Sequence, residues 1–230
     1  MNFLDLRAGG YELLGGAGLE IGAFEHPARL AESCAVEYVD RFTMSQAQVL
    51  FPEVDCGQLQ EPDYLVDLDT EGLQAFPSAS QDFVILNHVI EHVVNPVFVL
   101  EELFRVVRPV GHFVIAAPDK EHTFDRERPL TALEALVEAY ESGRSEASAE
   151  DYRDILTYIH KEHLGQPEHV LQECLESYRA RREHLHVWTS ASFRAFLVSA
   201  MSYLNVQGSP VYEVTADDNQ FEYFGVWQKA

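Results

Sequence analysis

Basic residues are scarce in this chain: 16 Lys and Arg stand against 38 Asp and Glu, a formal charge of −22 over 230 residues. A surface of that sign repels phosphate backbones and anionic lipid, so free nucleic acid and membranes are not expected as partners. Cysteine is scarce as well. Cys34, Cys56 and Cys174 are odd in number, far apart and without any Cys-x-x-Cys spacing, which predicts reduced thiols in a cytoplasmic protein. No apolar run approaches the ~20 residues of a membrane span, and Met1 to Arg7 lacks the basic stretch and long apolar core of an export signal. Internal repeats and low-complexity tracts are also missing. What remains, 47% hydrophobic and 23% charged residues, describes a soluble globular chain long enough for one domain with an elaboration.

The apolar runs have the rhythm of an α/β sheet. Leu19-Glu20-Ile21-Gly22 is a short run ending in an acid-x-Gly turn, where Gly22 can take backbone angles other residues resist and lets a ligand approach the chain. Val36-Glu37-Tyr38-Val39-Asp40 is a second run ending in an acid. Asp40 follows Gly22 at about the 20-residue interval at which a carboxylate meets two ribose hydroxyls. Tyr64-Leu65-Val66, leading into Asp67-Leu68-Asp69, is a third strand. Gln81 to Asn87 is a fourth, apolar enough for the middle of a parallel sheet, and His112 to Ala116 is a fifth. Thr43 with Gln46 forms a capping box, and Asn95-Pro96 supplies an N-cap and a first-turn proline for a helix carrying Leu100, Leu103, Phe104 and Val107.

From Thr131 to about Arg182 the pattern is wholly helical. Thr131 and Glu134 read as a capping box, and three helices follow the fifth strand above the ligand-binding edge, placed to act as a lid. A core helix bearing Phe193, Phe196, Leu197 and Met201 and two β segments, Val211–Thr215 and Phe221–Trp227, close the chain as an antiparallel pair. The expectation is a Rossmann-like, doubly wound, seven-stranded α/β sheet. Its core comprises residues 1–130 and 186–230, with a helical insert over 131–185.

Four features together, Leu19-Glu20-Ile21-Gly22, Asp40, Asp82-Phe83-Val84-Ile85 with His88-Val89-Ile90-Glu91-His92, and Leu103-Phe104-Arg105-Val106-Val107-Arg108-Pro109-Val110-Gly111, resemble the class I S-adenosylmethionine-dependent methyltransferases. The resemblance covers roughly residues 18–119 and 186–228. It implies S-adenosylmethionine as cofactor, with Glu20, Gly22 and Ala23 bordering its methionine part, Asp40 and Arg41 at the ribose, and Asp67 and Leu68 at the adenine. It also implies that Asn87 and His88 lie beside the sulfonium. The chain departs from the family where a run of three glycines is reduced to Gly22 followed by Ala23-Phe24-Glu25-His26-Pro27. It departs again where Pro-Gly-Gly has become Pro109-Val110-Gly111. The first turn is therefore narrower, and Phe24 is placed to stack near the cationic sulfonium.

Histidines carry the remaining chemistry. His88-x-x-Glu91-His92 matches an inverted zincin pattern. It is closer to the Glu-x-x-Glu-His of metal-dependent O-methyltransferases, in which a later histidine precedes an aromatic-Thr segment like His184-Leu185-His186-Val187-Trp188-Thr189. That likeness implies a divalent ion at His88, Glu91, His92 and His186, with histidine in place of the first glutamate favouring zinc, iron or manganese over magnesium. Against it stands a Glu-His pair that only caps and packs. His88, His122 and His186 are the candidate acid-base residues, and Arg126 and Arg128 form a pair able to hold a phosphate or carboxylate. Three functions follow as alternatives. The first is a methyltransferase acting on a hydroxyl or amine of a small molecule; the Pro118-Asp119-Lys120…Phe124-Asp125-Arg126-x-Arg128 pattern is similar to that of relatives in sugar pathways, which implies a sugar-like or natural-product acceptor. The second is a cofactor-binding sensor or partner-binding module. The third is a metal-centred enzyme of another class.

Overall fold

The chain enters through a helix, α1 (Phe3–Tyr11), and turns into the strand β1 (Gly16–Ile21). There follow β2 (Cys34–Asp40), α2 (Met44–Leu50), β3 (Tyr64–Leu65), β4 (Gln81–Asn87), α3 (Pro96–Val106) and β5 (Val107–Pro118). The helical stretch after β5 contains α4 (Leu133–Glu141), α5 (Arg153–Tyr158) and α6 (Glu168–Arg181). The chain closes with α7 (Ser190–Tyr203), β6 (Gly208–Val214), the single turn α8 (Ala216–Asn219) and β7 (Glu222–Lys229). This is a computed structural model describing residues 3–230; Met1, Asn2 and the Cys56 thiol lie outside the described residues.

The strands form one seven-stranded sheet in the order β3-β2-β1-β4-β5-β7-β6, parallel except that β7 runs antiparallel between β5 and β6. This is the expected α/β architecture. The strand order reverses between β1 and β4, so a crevice opens there at the carboxyl ends of the strands. β4 is central because Phe83 to Leu86 are buried on both faces. Val84 and Leu86 pack with α3 and α7, whereas Phe83 and Ile85 pack under Tyr11 and Leu14 at the chain's start. Burying Phe193, Phe196 and Leu197 of α7 is worth about 1.5–3 kcal/mol each, which fixes α7 on the first of these faces.

Capping at α2 and α3 forms as expected. Thr43 and Gln46 make the reciprocal box, and Asn95 accepts from Phe98 N ahead of Pro96. Four local features differ from the sequence reading or add to it. The first helix, α1, lies on a sheet face against β6 and β7. Thr131 caps no helix, because its hydroxyl accepts from Val187 N and Ala132 becomes the N-cap residue of α4. β5 starts at Val107, directly after α3, and turns through Val110 at φ +59 before the expected strand begins. The segment His88–His92 forms turns and not a helix, so its three polar side chains are brought together by loop geometry.

Candidate active site

A cavity of about 540 Å³ sits at the switch point, the size of a small-ligand pocket. Its walls are built from the ends of four parallel strands: Glu20 to His26 after β1, Asp40 to Phe42 after β2, Val66 to Asp69 after β3, and Asn87 to Val89 after β4. Arg181 to Glu183, the end of the helical insert, closes it from the opposite side. All ten residues expected at a cofactor, Glu20, Gly22, Ala23, Phe24, Asp40, Arg41, Asp67, Leu68, Asn87 and His88, line this one cleft.

Gly22 adopts φ +68, and a Cβ there would meet Val89 Cγ2 at 2.5 Å, so only glycine leaves the turn both unstrained and open. Glu20 is buried with both carboxylate oxygens accepting from Ala28 N, at 2.8 and 3.1 Å, which ties the loop after β1 back onto the strand. Burial pushes its carboxyl up to about 7, against the pull of that amide and of Arg7. Asp40 is likewise raised by burial while its Oδ1 accepts from Phe42 N at 3.0 Å. Phe24 lies edge-on to Phe51 in a left-handed conformation, φ +49. Asp67 is shared by two arginines, Arg41 and Arg182, each at 3.0 Å.

Asn87 donates to the Tyr11 hydroxyl at 2.8 Å, and its Oδ1 is buried with no hydrogen-bond partner. His88, the next residue, is held at φ +53 with its ring stacked on Phe221. Its Nε2 meets Glu222 at 2.5 Å and its Nδ1 faces Glu91 Oε1 at 3.3 Å; Glu222 is also gripped by Arg7. Burial alone would lower the pKa of His88, but hydrogen bonds to the two carboxylates outweigh it and raise it to about 9. The ring is therefore an imidazolium that ties β4 to β7.

The other expected histidines lie elsewhere. His122 is exposed on the turn after β5 and takes no part in the cleft. His186 points its Nε2 at Val93 O, 3.0 Å away, and burial brings it down to about 4, so it is a neutral packing residue beside Trp188. Neither His122 nor His186 lines the cleft. The arginine pair also separates. Arg126 is exposed, while Arg128 is fully buried, bonded to Asp125 at 2.7 Å, Asp154 at 2.8 Å and the His184 carbonyl at 2.9 Å, and cannot receive a substrate anion.

His184 takes the position that sequence spacing gave to His186. Its Nδ1 bonds Asp125 at 2.7 Å and its Nε2 stands 4.0 Å from Glu91 Oε1, beside His92 Nε2 at 3.9 Å from the same oxygen. Other cleft residues without a sequence signal are Arg7, Phe51, Phe221, Arg182 and Glu183, which arrive from distant parts of the chain. Arg182 also pairs with Asp69, and Arg181 sits 4.7 Å above the Phe51 ring while bonding the Leu50 carbonyl, so the end of α6 is fastened across the mouth.

Residues 16–115 match a family profile described as a methyltransferase domain. No curated protein matches the chain in sequence. Among solved structures the chain is similar to a SAM dependent methyltransferase from Aquifex aeolicus, at 14% identity and TM-score 0.50 over 99% of this chain and 89% of that one. It is also similar to a possible histamine N-methyltransferase from Thermotoga maritima, at 13% identity and TM-score 0.52, with the same coverage of 99% and 89%. A third, from Rhodobacter sphaeroides, is described as a putative Zn-dependent alcohol dehydrogenase, at 15% identity and TM-score 0.56 over 94% of this chain and 85% of that one. At such identities the likeness carries the fold, as the different activity in the third description illustrates.

Proposed function

We propose that this chain, a class I S-adenosylmethionine-dependent methyltransferase, passes the methyl group to a hydroxyl or amine of a small molecule held between the strand ends and the helical insert. The observation that carries the reading is the single cleft in which Glu20, Asp40, Asn87 and His88 meet across the switch point. The residues fit the cofactor. Asn87 Oδ1 is a buried acceptor without a donor, Gly22 leaves a cradle that a Cβ would fill, and Glu20 and Asp40 present carboxylates to an ammonium and to ribose hydroxyls. When bound, S-adenosylmethionine supplies a methyl group already activated by its sulfonium, so the protein's part is alignment and the fate of one proton.

His88, with a carboxylate at each ring nitrogen, orients and does not take that proton. Phe24 and Phe221 give the sulfonium end an aromatic wall. The insert, residues 131–185, acts as the acceptor's cap, and its end at Arg182 excludes water by bonding Asp67 and Asp69. A sugar-like or natural-product acceptor suits a cleft of this size, and the strongly acidic surface disfavours nucleic acid as the acceptor. The test is transfer of labelled methyl from S-adenosylmethionine to a library of hydroxylated and aminated metabolites. Turnover on one class supports the reading, and cofactor binding without turnover on any member contradicts it.

A further inference from the structure

We propose that Glu91, His92 and His184 bind one divalent first-row transition ion whose remaining coordination positions face the acceptor end of the cleft. Glu91 is fully buried; its Oε1 faces the His88 ring at 3.3 Å, and its Oε2 has no hydrogen-bond partner. The His88 imidazolium balances part of this buried charge, and the unpartnered Oε2 still carries a desolvation cost that a further cation would offset. His92 Nδ1 stands 2.6 Å from the Arg182 carbonyl, which can only accept, so Nδ1 carries the proton there. His184 Nδ1 is bonded at 2.7 Å to the Asp125 carboxylate, itself fixed by Arg128. Each imidazole is thus oriented through Nδ1 by an outer acceptor, which is how metal-ligating histidines are usually held, and each turns Nε2 inward.

The two Nε2 atoms lie 3.9 and 4.0 Å from Glu91 Oε1, and all three donor atoms fall within 4.8 Å of one another. Two imidazole nitrogens and a carboxylate oxygen are thus grouped closely enough for one ion to reach all three. Two nitrogens and one oxygen suit zinc, cobalt, iron or manganese better than magnesium. Three protein ligands leave positions open, as catalytic zinc sites do. His92 lines the cleft, so those positions are reachable from it. His88 stays outside the ligand set because Glu222 holds its Nε2, and His186 because its Nε2 serves Val93 O.

Ion binding stands on this geometry alone; the ion's action on an acceptor hydroxyl, by lowering its pKa, rests on the methyl-transfer reading. The test uses the full chain, stripped with a chelator and titrated with Co2+ by visible absorption and with Zn2+ by calorimetry. The expected result is one ion per chain, with affinity reduced about 100-fold or more in Glu91→Gln and His184→Ala and unchanged in His186→Asn. Melting curves on the same samples establish that the variants fold, and His184→Gln, which can still donate to Asp125, replaces His184→Ala if that protein does not. No binding by the wild-type chain overturns the site. So does equal binding by the Glu91 and His184 variants, or a loss confined to His186→Asn. Titrating S-adenosylhomocysteine into the same protein separates the two claims: its failure to bind would end the methyl-transfer reading and leave the ion site untouched.

Discussion

Glu20 is a buried cleft acid whose charge a bound cation would change. Burial raises its carboxyl to about 7, so near neutrality the empty site holds it partly protonated. A cofactor ammonium beside it favours the ionised form, and affinity for S-adenosylhomocysteine should therefore rise as pH goes up through about 7 and then level off. Glu20→Gln should bind more weakly and show no such rise. The sign for stability is the reverse. An acid raised in the fold from 4.5 to about 7 costs stability as pH climbs through that interval, so Glu20→Gln should gain melting temperature on the wild type above pH 7. A wild-type affinity that is flat or falling across this window would remove Glu20 from the cofactor's methionine end. At this scale the sequence was readable where a residue's role is set by its own turn, as at Gly22. It misled where the role is decided from afar. His184 and His186 are two residues apart, and the Asp125 carboxylate and the Val93 carbonyl decide which ring reaches Glu91.

Among the elements, the insert shows how position differs from packing. α4 follows β5 but buries Leu136 in the main core against α3, whereas Tyr152, Ile155, Leu156 and Leu175 form a small core of their own. Arg128 ties that second core down through Asp154 and Asp125. Arg128→Met leaves the buried Asp125 with only its bond to His184 and takes from Asp154 its arginine partner, and should cost about 3 kcal/mol in a denaturant titration. A loss below about 1 kcal/mol would mean that the pair is dispensable. Arg182 is the other fastening. Arg182→Ala should speed amide exchange in α6 and accelerate release of S-adenosylhomocysteine, and unchanged exchange would show that the end of α6 is held by something else. Helix starts and central strands were legible because capping and burial are local: Asn95-Pro96 and Phe83 to Leu86 announce themselves. The helix-free loop between β1 and β2 was not. Residues 22–33 run as a loop because Gly22, Phe24 and the Glu20 to Ala28 bonds fix a turn, and the sheet face beside them is covered in part by the lead-in helix.

For the molecule as a whole, the parallel strands bring acids from separate turns to one sheet edge, and the antiparallel β7 brings Glu222 to steady His88 from the far side. No helix among the described residues is long and apolar enough to cross a membrane. The architecture was readable from the alternation of apolar runs and helices. The closure of the cleft was not, since it depends on where α6 ends in three dimensions. Calorimetric titration of S-adenosylhomocysteine into the wild-type chain and Asp40→Ala tests the central claim most directly. One molecule should bind per chain, with affinity reduced about tenfold or more when the Asp40 carboxylate in the cleft is removed. Absence of binding to the wild type, or equal binding by both proteins, would contradict it.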